Sequence, residues 1–322
     1  MENVLDYEIE KTADGVILKK FIGFDEPEIV IPNSIDGSPV YMIGDAAFEN
    51  CVNIPRVVIS EGIKHIGAGV FKNCGALESV KVLNGVQTIG DSAFYMCKSL
   101  KNASLPASVR NIGDKAFSEC AVLTSVTISG RTIGGLLAGA KAPSGAQTIG
   151  DSAFAGCESL TDVAIPSGVQ IIGNYAFSGC EVLTSVKIPD SVQIIGDYAF
   201  YRCKALTRVT IPGSVKAIGD YAFYMCKSLT GVTIPDSVQT VGNAAFSRCK
   251  ELTDVTIPSG VKTIGDSAFS RCDGLESVTI PDSVQTIGEY AFSGCEALTI
   301  YCKLGSCALR YARKHNIKCA KA

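Results

Sequence analysis

Fourteen cysteines, a recurring row of carboxylates and two histidines are the residues of this 322-residue chain whose types could do chemistry. Eleven cysteines recur in register: Cys51, Cys74, Cys97, Cys120, Cys157, Cys180, Cys203, Cys226, Cys249, Cys272 and Cys295. A thiol becomes a nucleophile or metal ligand only when a base, a cation or a metal draws off its proton. His65 and His315 are the only histidines and lie near opposite ends, so no Cys/His zinc constellation forms and no base stands near a Ser or Cys nucleophile. The carboxylate row comprises Asp91, Asp114, Asp151, Asp197, Asp220 and Asp266, with Asn174 and Asn243 at the same site. Asn caps a helix as well as Asp does but carries no proton, so the row reads as helix capping rather than acid/base chemistry. Gly134 to Lys141, GGLLAGAK, misses a phosphate-binding loop, because Ala140 stands where the lysine belongs and no Ser or Thr follows. These residues predict no catalytic site, no metal and no cofactor.

Binding chemistry is better represented. Tyr198, Tyr201, Tyr221 and Tyr224 fall in adjacent repeats, and Arg202, Met225, Arg248 and Arg271 line up in four successive ones. Tyr and Arg are enriched in interface hot spots, which makes these eight residues the candidate protein-binding patch. Lys187, Arg208 and Asp254 are candidate contacts on the strand face, among residues dominated by threonine. Threonine favours strands for steric reasons, and no aromatic cluster stands among them. Asn102-Ala103-Ser104 is a lone glycosylation sequon that matters only in a eukaryotic secretory route.

The elements that position these groups follow from a period. Phe48, Phe71, Phe94 and Phe117 are 23 residues apart, as are Phe154, Phe177, Phe200, Phe223, Phe246, Phe269 and Phe292. A fixed period of this length is the signature of a solenoid, in which each coil buries its apolar residues against its neighbours. In residues 203–225, Leu206-x-x-Val209-x-Ile211 alternates as a half-buried strand does. Pro212 ends that strand, Val215 and Ile218 turn a second apolar edge inward, and Gly219 permits a tight bend. Asp220 then caps a short helix, Tyr221 to Cys226. One cysteine per coil at one angular position describes a buried, reduced thiol ladder. Cys302, Cys307 and Cys319 lie outside it. The interval between Phe117 and Phe154 is 37 residues; residues 129–147 read as a degenerate coil that bulges out and breaks the solenoid into two.

Net charge is −3, so neither nucleic acid nor an anionic membrane is an expected partner. Hydrophobic residues make up 47% of the chain, yet they are periodic and never run to the length of a membrane-spanning helix. The start, MENVLDYEIE, is acidic and carries no signal-peptide pattern. This is expected either of a chain that stays in the cytosol or of the mature part of an exported one.

The unit L-x-x-V-x-I-P-x-x-V-x-x-I-G-x-x-A-F-x-x-C resembles the leucine-rich repeats of the Treponema and BspA surface proteins. The resemblance implies an α/β solenoid, a right-handed superhelix with one parallel strand per coil and short helices or turns opposite. It divides the chain into an N-terminal β-hairpin cap (1–42), about 11 repeats with the irregular insertion (43–301), and a C-terminal helical cap (302–322). In LDYEIEKTADGVILKKF the hairpin turns near Asp14-Gly15, and in the tail Leu309 and Tyr311–Ala312 face the last coil. It further implies a non-enzymatic, monomeric adhesin-like scaffold, cell-surface or secreted, of a host-associated microbe. Its partners would be extracellular matrix, host-receptor or microbial surface proteins. The alternative is an intracellular interaction or structural protein.

Overall fold

The computed structural model describes residues 2–4, 6–24, 26–129, 147–163, 165 and 167–321. They fall into two compact units, Met1–Val169 and Gln170–Ala322, each a parallel-strand solenoid. The alternating segment of most coils is a strand with its valine inward: Ser79–Val82 buries Val80 and Val82, and Arg208–Thr210 buries Val209 between two exposed neighbours. Pairing between coils keeps the 23-residue register. Val57 pairs with Val80 in the first unit, and Val209, Val232, Val255 and Val278 pair in turn in the second. Most coils also carry a second parallel strand of two residues, such as Thr88–Ile89 or Ala217–Ile218. Two residues are too few to show alternation in the sequence, and only stacking makes them a strand.

The segment from the glycine to the cysteine is a run of turns and not a helix. Tyr221 and Met225 adopt left-handed φ values of 55° and 60°. The amides of Tyr221, Phe223 and Met225 therefore point along the stack, to the carbonyls of Asn243, Ala245 and Ser247 in the next coil (2.7, 2.7 and 2.9 Å). Tyr224 and Cys226 bond three residues back within the turn (3.0 and 3.2 Å). A helix would instead return the Met225 amide to the Tyr221 carbonyl and the Cys226 amide to the Ala222 carbonyl.

The recurring Asp or Asn accordingly binds a backbone amide that belongs to another coil. It fastens the next one: the Asp197, Asp220, Asn243 and Glu289 amides donate to Oδ1 of Asn174, Asp197, Asp220 and Asp266 (2.8, 2.8, 2.6 and 2.7 Å). The first unit repeats this from Asp45 to Ala68, Asp91 to Asp114 and Asp114 to Asp151. Asn accepts this bond as well as Asp does, which explains the mixture. Asp197→Ala should destabilise by about 1 kcal/mol, the worth of one partly exposed hydrogen bond, and Asp197→Asn should be nearly neutral. Urea denaturation of both variants checks this, and equal losses would exclude the staple. The glycine before the Asp is set by close approach and not by a bend, since a Cβ on Gly219 would lie 2.5 Å from the Gly196 carbonyl carbon.

Inside each unit the phenylalanines stack face to face. Centroids lie 4.9–5.3 Å apart from Phe48 to Phe154 and 5.2–5.3 Å apart from Phe177 to Phe292. The 37-residue interval does not break the stack. Phe154 lies 5.3 Å from Phe117 with an interplanar angle of 2°, Ile149 pairs with Ile112, and Asp162 pairs with Ser125. The described residues on either side of the interval thus keep the register of the stack. Residues 130–146, with GGLLAGAK, lie outside the described residues.

Both ends of the rings are covered. The antiparallel hairpin Tyr7–Thr12 and Gly15–Phe21 puts Phe21 against Phe48 at 5.0 Å, with Tyr7 edge-on at 6.1 Å. Its turn requires Gly15, where φ is 127° and a Cβ would meet the Pro39 carbonyl oxygen at 2.3 Å. At the other end the helix Cys307–Lys314, capped by Ser306, buries Ala308, Tyr311 and Ala312. Ala308, not Leu309, completes its inward face, being four residues from Ala312 and so on the same side. Tyr311 lies edge-on to Phe292 at 5.9 Å, and its hydroxyl accepts the Phe292 amide at 3.1 Å, replacing the carbonyl that a further coil would supply. A final strand, Lys318–Lys321, pairs in parallel with Thr299–Cys302, so the cap is a helix followed by a strand.

Candidate functional site

The thiol ladder is the first candidate for chemistry, and its geometry argues for core. From Cys74 to Cys295 all ten in-register cysteines are buried, and Cys51, at the start, is half-buried. Each sulfur for which the partner is resolved donates to a phenylalanine carbonyl of the preceding coil, as Cys226 does to Phe200 and Cys249 to Phe223 (3.2 and 3.3 Å). Burial pushes the Cys203, Cys226 and Cys249 thiols well above their ordinary range, and the neighbouring thiol adds to this at Cys203 and Cys226. A nucleophile or metal ligand needs the opposite shift. Among the described residues, no group of three or more His, Cys, Asp or Glu could hold a metal ion. His65 is engaged in the core wall, its Nδ1 2.8 Å from Thr88 Oγ1.

The tyrosines form a continuous surface on the second unit. The first left-handed position of the turn carries Tyr175, Tyr198 and Tyr221, at φ 55–57°. Neighbouring coils bring these rings face to face, 4.6 Å apart for Tyr175 and Tyr198 and 4.7 Å for Tyr198 and Tyr221. Three residues further on, Tyr201 and Tyr224 stack at 5.3 Å, and each tilts against its coil's first tyrosine at 5.6 Å. Tyr175 occupies the same 23-residue register as Tyr198 and could have been found from the period alone. The Tyr198 hydroxyl is pushed up by desolvation, then by the neighbouring Tyr175 and Tyr221, and last by Asp220 and Asp197.

The second left-handed position carries Arg202, Met225, Arg248 and Arg271, at φ 57–62°. The Arg248 guanidinium closes the open face of Tyr224, 5.8 Å from the ring centroid. A shallow groove of about 350 Å³ leads on past Arg248, Lys250 and Arg271 to Asp273 and Glu296. Some of this charge is already paired, with Arg202 and Lys204 on Glu181 and Lys250 on Asp273. The structure thus gathers all eight patch residues onto one run of turns and adds Tyr175.

Lys187, Arg208 and Asp254 are exposed on the strand segment but are not brought together. Arg208 and Asp254 straddle Gly231 in one cross-coil row, and Lys187 lies two residues further along the coil. The threonines around them serve the stack: Thr207, Thr230 and Thr253 donate their hydroxyls to Thr184, Thr207 and Thr230 carbonyls in the preceding coil (3.3, 3.2 and 3.4 Å). No helix of the described residues is long and apolar enough to cross a membrane.

The chain is similar to several solved proteins. A leucine-rich cell surface protein from Faecalibacterium prausnitzii is 27% identical, with 97% of this chain and 96% of that one covered and a TM-score of 0.49. The leucine-rich repeat protein of T. pallidum is 23% identical over 98% of this chain and 96% of that one, with a TM-score of 0.39. The pneumococcal vaccine antigen PcpA is 16% identical over 98% of each chain, with a TM-score of 0.47. No curated protein matches the chain. The model of the BspA type leucine rich repeat region matches residues 24–135, 137–252 and 172–299 in six copies, and the chain therefore belongs to the BspA-type leucine-rich repeat family.

Proposed function

We propose that this is a non-enzymatic, adhesin-like scaffold, surface-displayed or secreted, that binds proteins of a host, a matrix or another cell through the tyrosine–arginine surface of its second unit. The observation that carries the reading is the concentration of rings: Tyr175, Tyr198, Tyr201, Tyr221 and Tyr224 share one surface. The same turn positions hold serine in other coils, as at Ser152, Ser247, Ser267 and Ser270. The coil does not need tyrosine there, so the rings are an addition to the scaffold. Stiff, half-buried tyrosines offer large contact area at small entropic cost, and adjacent arginines add planar donors for carboxylates.

Replacing Tyr198, Tyr221 and Tyr224 by serine, the residue that other coils use, leaves the stack intact. Binding of purified protein to immobilised matrix proteins and to host cells should fall at least about tenfold in this variant, as expected for loss of a hot spot. Circular dichroism should be unchanged. Undiminished binding would remove the surface from the interface, and binding no stronger than that of an unrelated solenoid would overturn the adhesin reading itself.

A further inference from the structure

Two cysteines outside the ladder meet at the C-terminal cap. Cys302 ends the strand Thr299–Cys302, and Cys319 lies in the terminal strand Lys318–Lys321 paired with it. Cys319 is opposite Ile300 and Cys302 is opposite Lys321, so the two thiols are diagonal neighbours with both side chains on the inward side. Their sulfurs are 3.2 Å apart. The ladder thiols differ in surroundings, since each with a resolved partner donates to a backbone carbonyl inside the core. Here the thiols hydrogen-bond each other, and one is open to solvent: Cys302 is buried, while Cys319 is partly exposed.

We infer that Cys302 and Cys319 are a disulfide-forming pair, oxidised by small-molecule disulfides, that locks the C-terminal cap onto the last coil. The Cys319 thiolate attacks one sulfur of a reagent such as glutathione disulfide, forming a mixed disulfide and releasing one glutathione thiolate. The Cys302 thiolate then displaces the second glutathione. The protein loses two electrons and two protons, and the reagent is reduced to two thiols. Closure to about 2.05 Å needs a shift of about 1 Å, which a strand at the sheet edge can absorb. The bond encloses the segment that carries the helix and Tyr311, the residue covering Phe292. Oxidation therefore fixes the cover of the ring stack, and reduction leaves it held by packing and hydrogen bonds alone.

The test uses the full chain, incubated with glutathione disulfide, alkylated, digested with trypsin and mapped by mass spectrometry without reduction. The expected product is a Cys302–Cys319 linked peptide pair about 2 Da lighter than the two thiol peptides. Cleavage at exposed Arg313 or Lys314 should release the C-terminal peptide only after reduction. C302S should instead accumulate a stable glutathione adduct at Cys319, and C319S should give neither adduct nor link. A persistent adduct at Cys319 in the unsubstituted protein, a link from either residue to Cys307, or full alkylation of both thiols after oxidation would each overturn the inference.

Discussion

Phe223→Ala is expected to remove about 3–5 kcal/mol of folding free energy, the usual cost of deleting a fully buried ring. The ring lies between Phe200 and Phe246, 5.2 Å from each and within 5° of parallel. A cavity is cheap only if its walls can move in, and these walls cannot. The Phe200 amide is tied to Ala222 and the Phe223 amide to Ala245, both at 2.7 Å, so the coils keep their spacing when the ring is gone. No residue distant in the stack can fill the space, because a coil touches only its neighbours. Urea denaturation measures the loss, and Phe223→Leu should recover part of it. Tyr221→Ser, two residues away on the exposed side, should cost under about 1 kcal/mol. A loss below 1 kcal/mol at Phe223 would mean that the ring stack is not what holds coil to coil.

High pH should unfold the protein through its thiols. Burial is the leading cause that raises the pKa of Cys74, Cys203, Cys226 and Cys249 above the ordinary 9.0. Folding therefore favours the protonated thiol. Its contribution is complete below pH 9, where the unfolded thiol is also protonated, and is lost as pH rises above 9 and only the unfolded chain ionises. Each such thiol weakens the fold by about 1.4 kcal/mol per pH unit in that range. Four together amount to roughly 5–6 kcal/mol at one unit above 9, comparable with the whole stability of many domains, about 5–15 kcal/mol. The urea midpoint should fall steeply between about pH 9 and 10.5, and Cys226→Ala with Cys249→Ala should take about 3 kcal/mol per pH unit off the slope. A midpoint independent of pH over that range would refute the linkage.

The core was legible because its residues repeat. Phe223, Val209 and Cys226 each belong to a row whose members share one environment, and a period of 23 exposes such rows without any structure. What the chain hid were bonds made between coils. Asp220 has the residue type and the position of a helix cap, and only the left-handed φ values of Tyr221 and Met225 turn its partner into the next coil's amide. Gly219 looks like a bend for the same reason, since the atom that excludes a Cβ is 23 residues away. The 37-residue interval reads as a break when residues are counted along the chain, yet Phe154 stacks on Phe117 across it. The terminal strand Lys318–Lys321 is too short and polar to announce itself, and with it the meeting of Cys302 and Cys319 was invisible. The tyrosine surface was half-read: the four ring residues named from the sequence do meet, and Tyr175 joins them.

The direction of the bonds between coils has a mechanical meaning. The amides of Tyr221, Phe223 and Met225 and the Asp220 staple all point along the stack, so tension along that axis loads them a coil at a time rather than in parallel. Such bonds unzip at low force, and a released coil of 23 residues can reach roughly 75–80 Å where it had occupied about 5 Å. Under tension such a chain would yield length one coil at a time while the remaining coils stay folded.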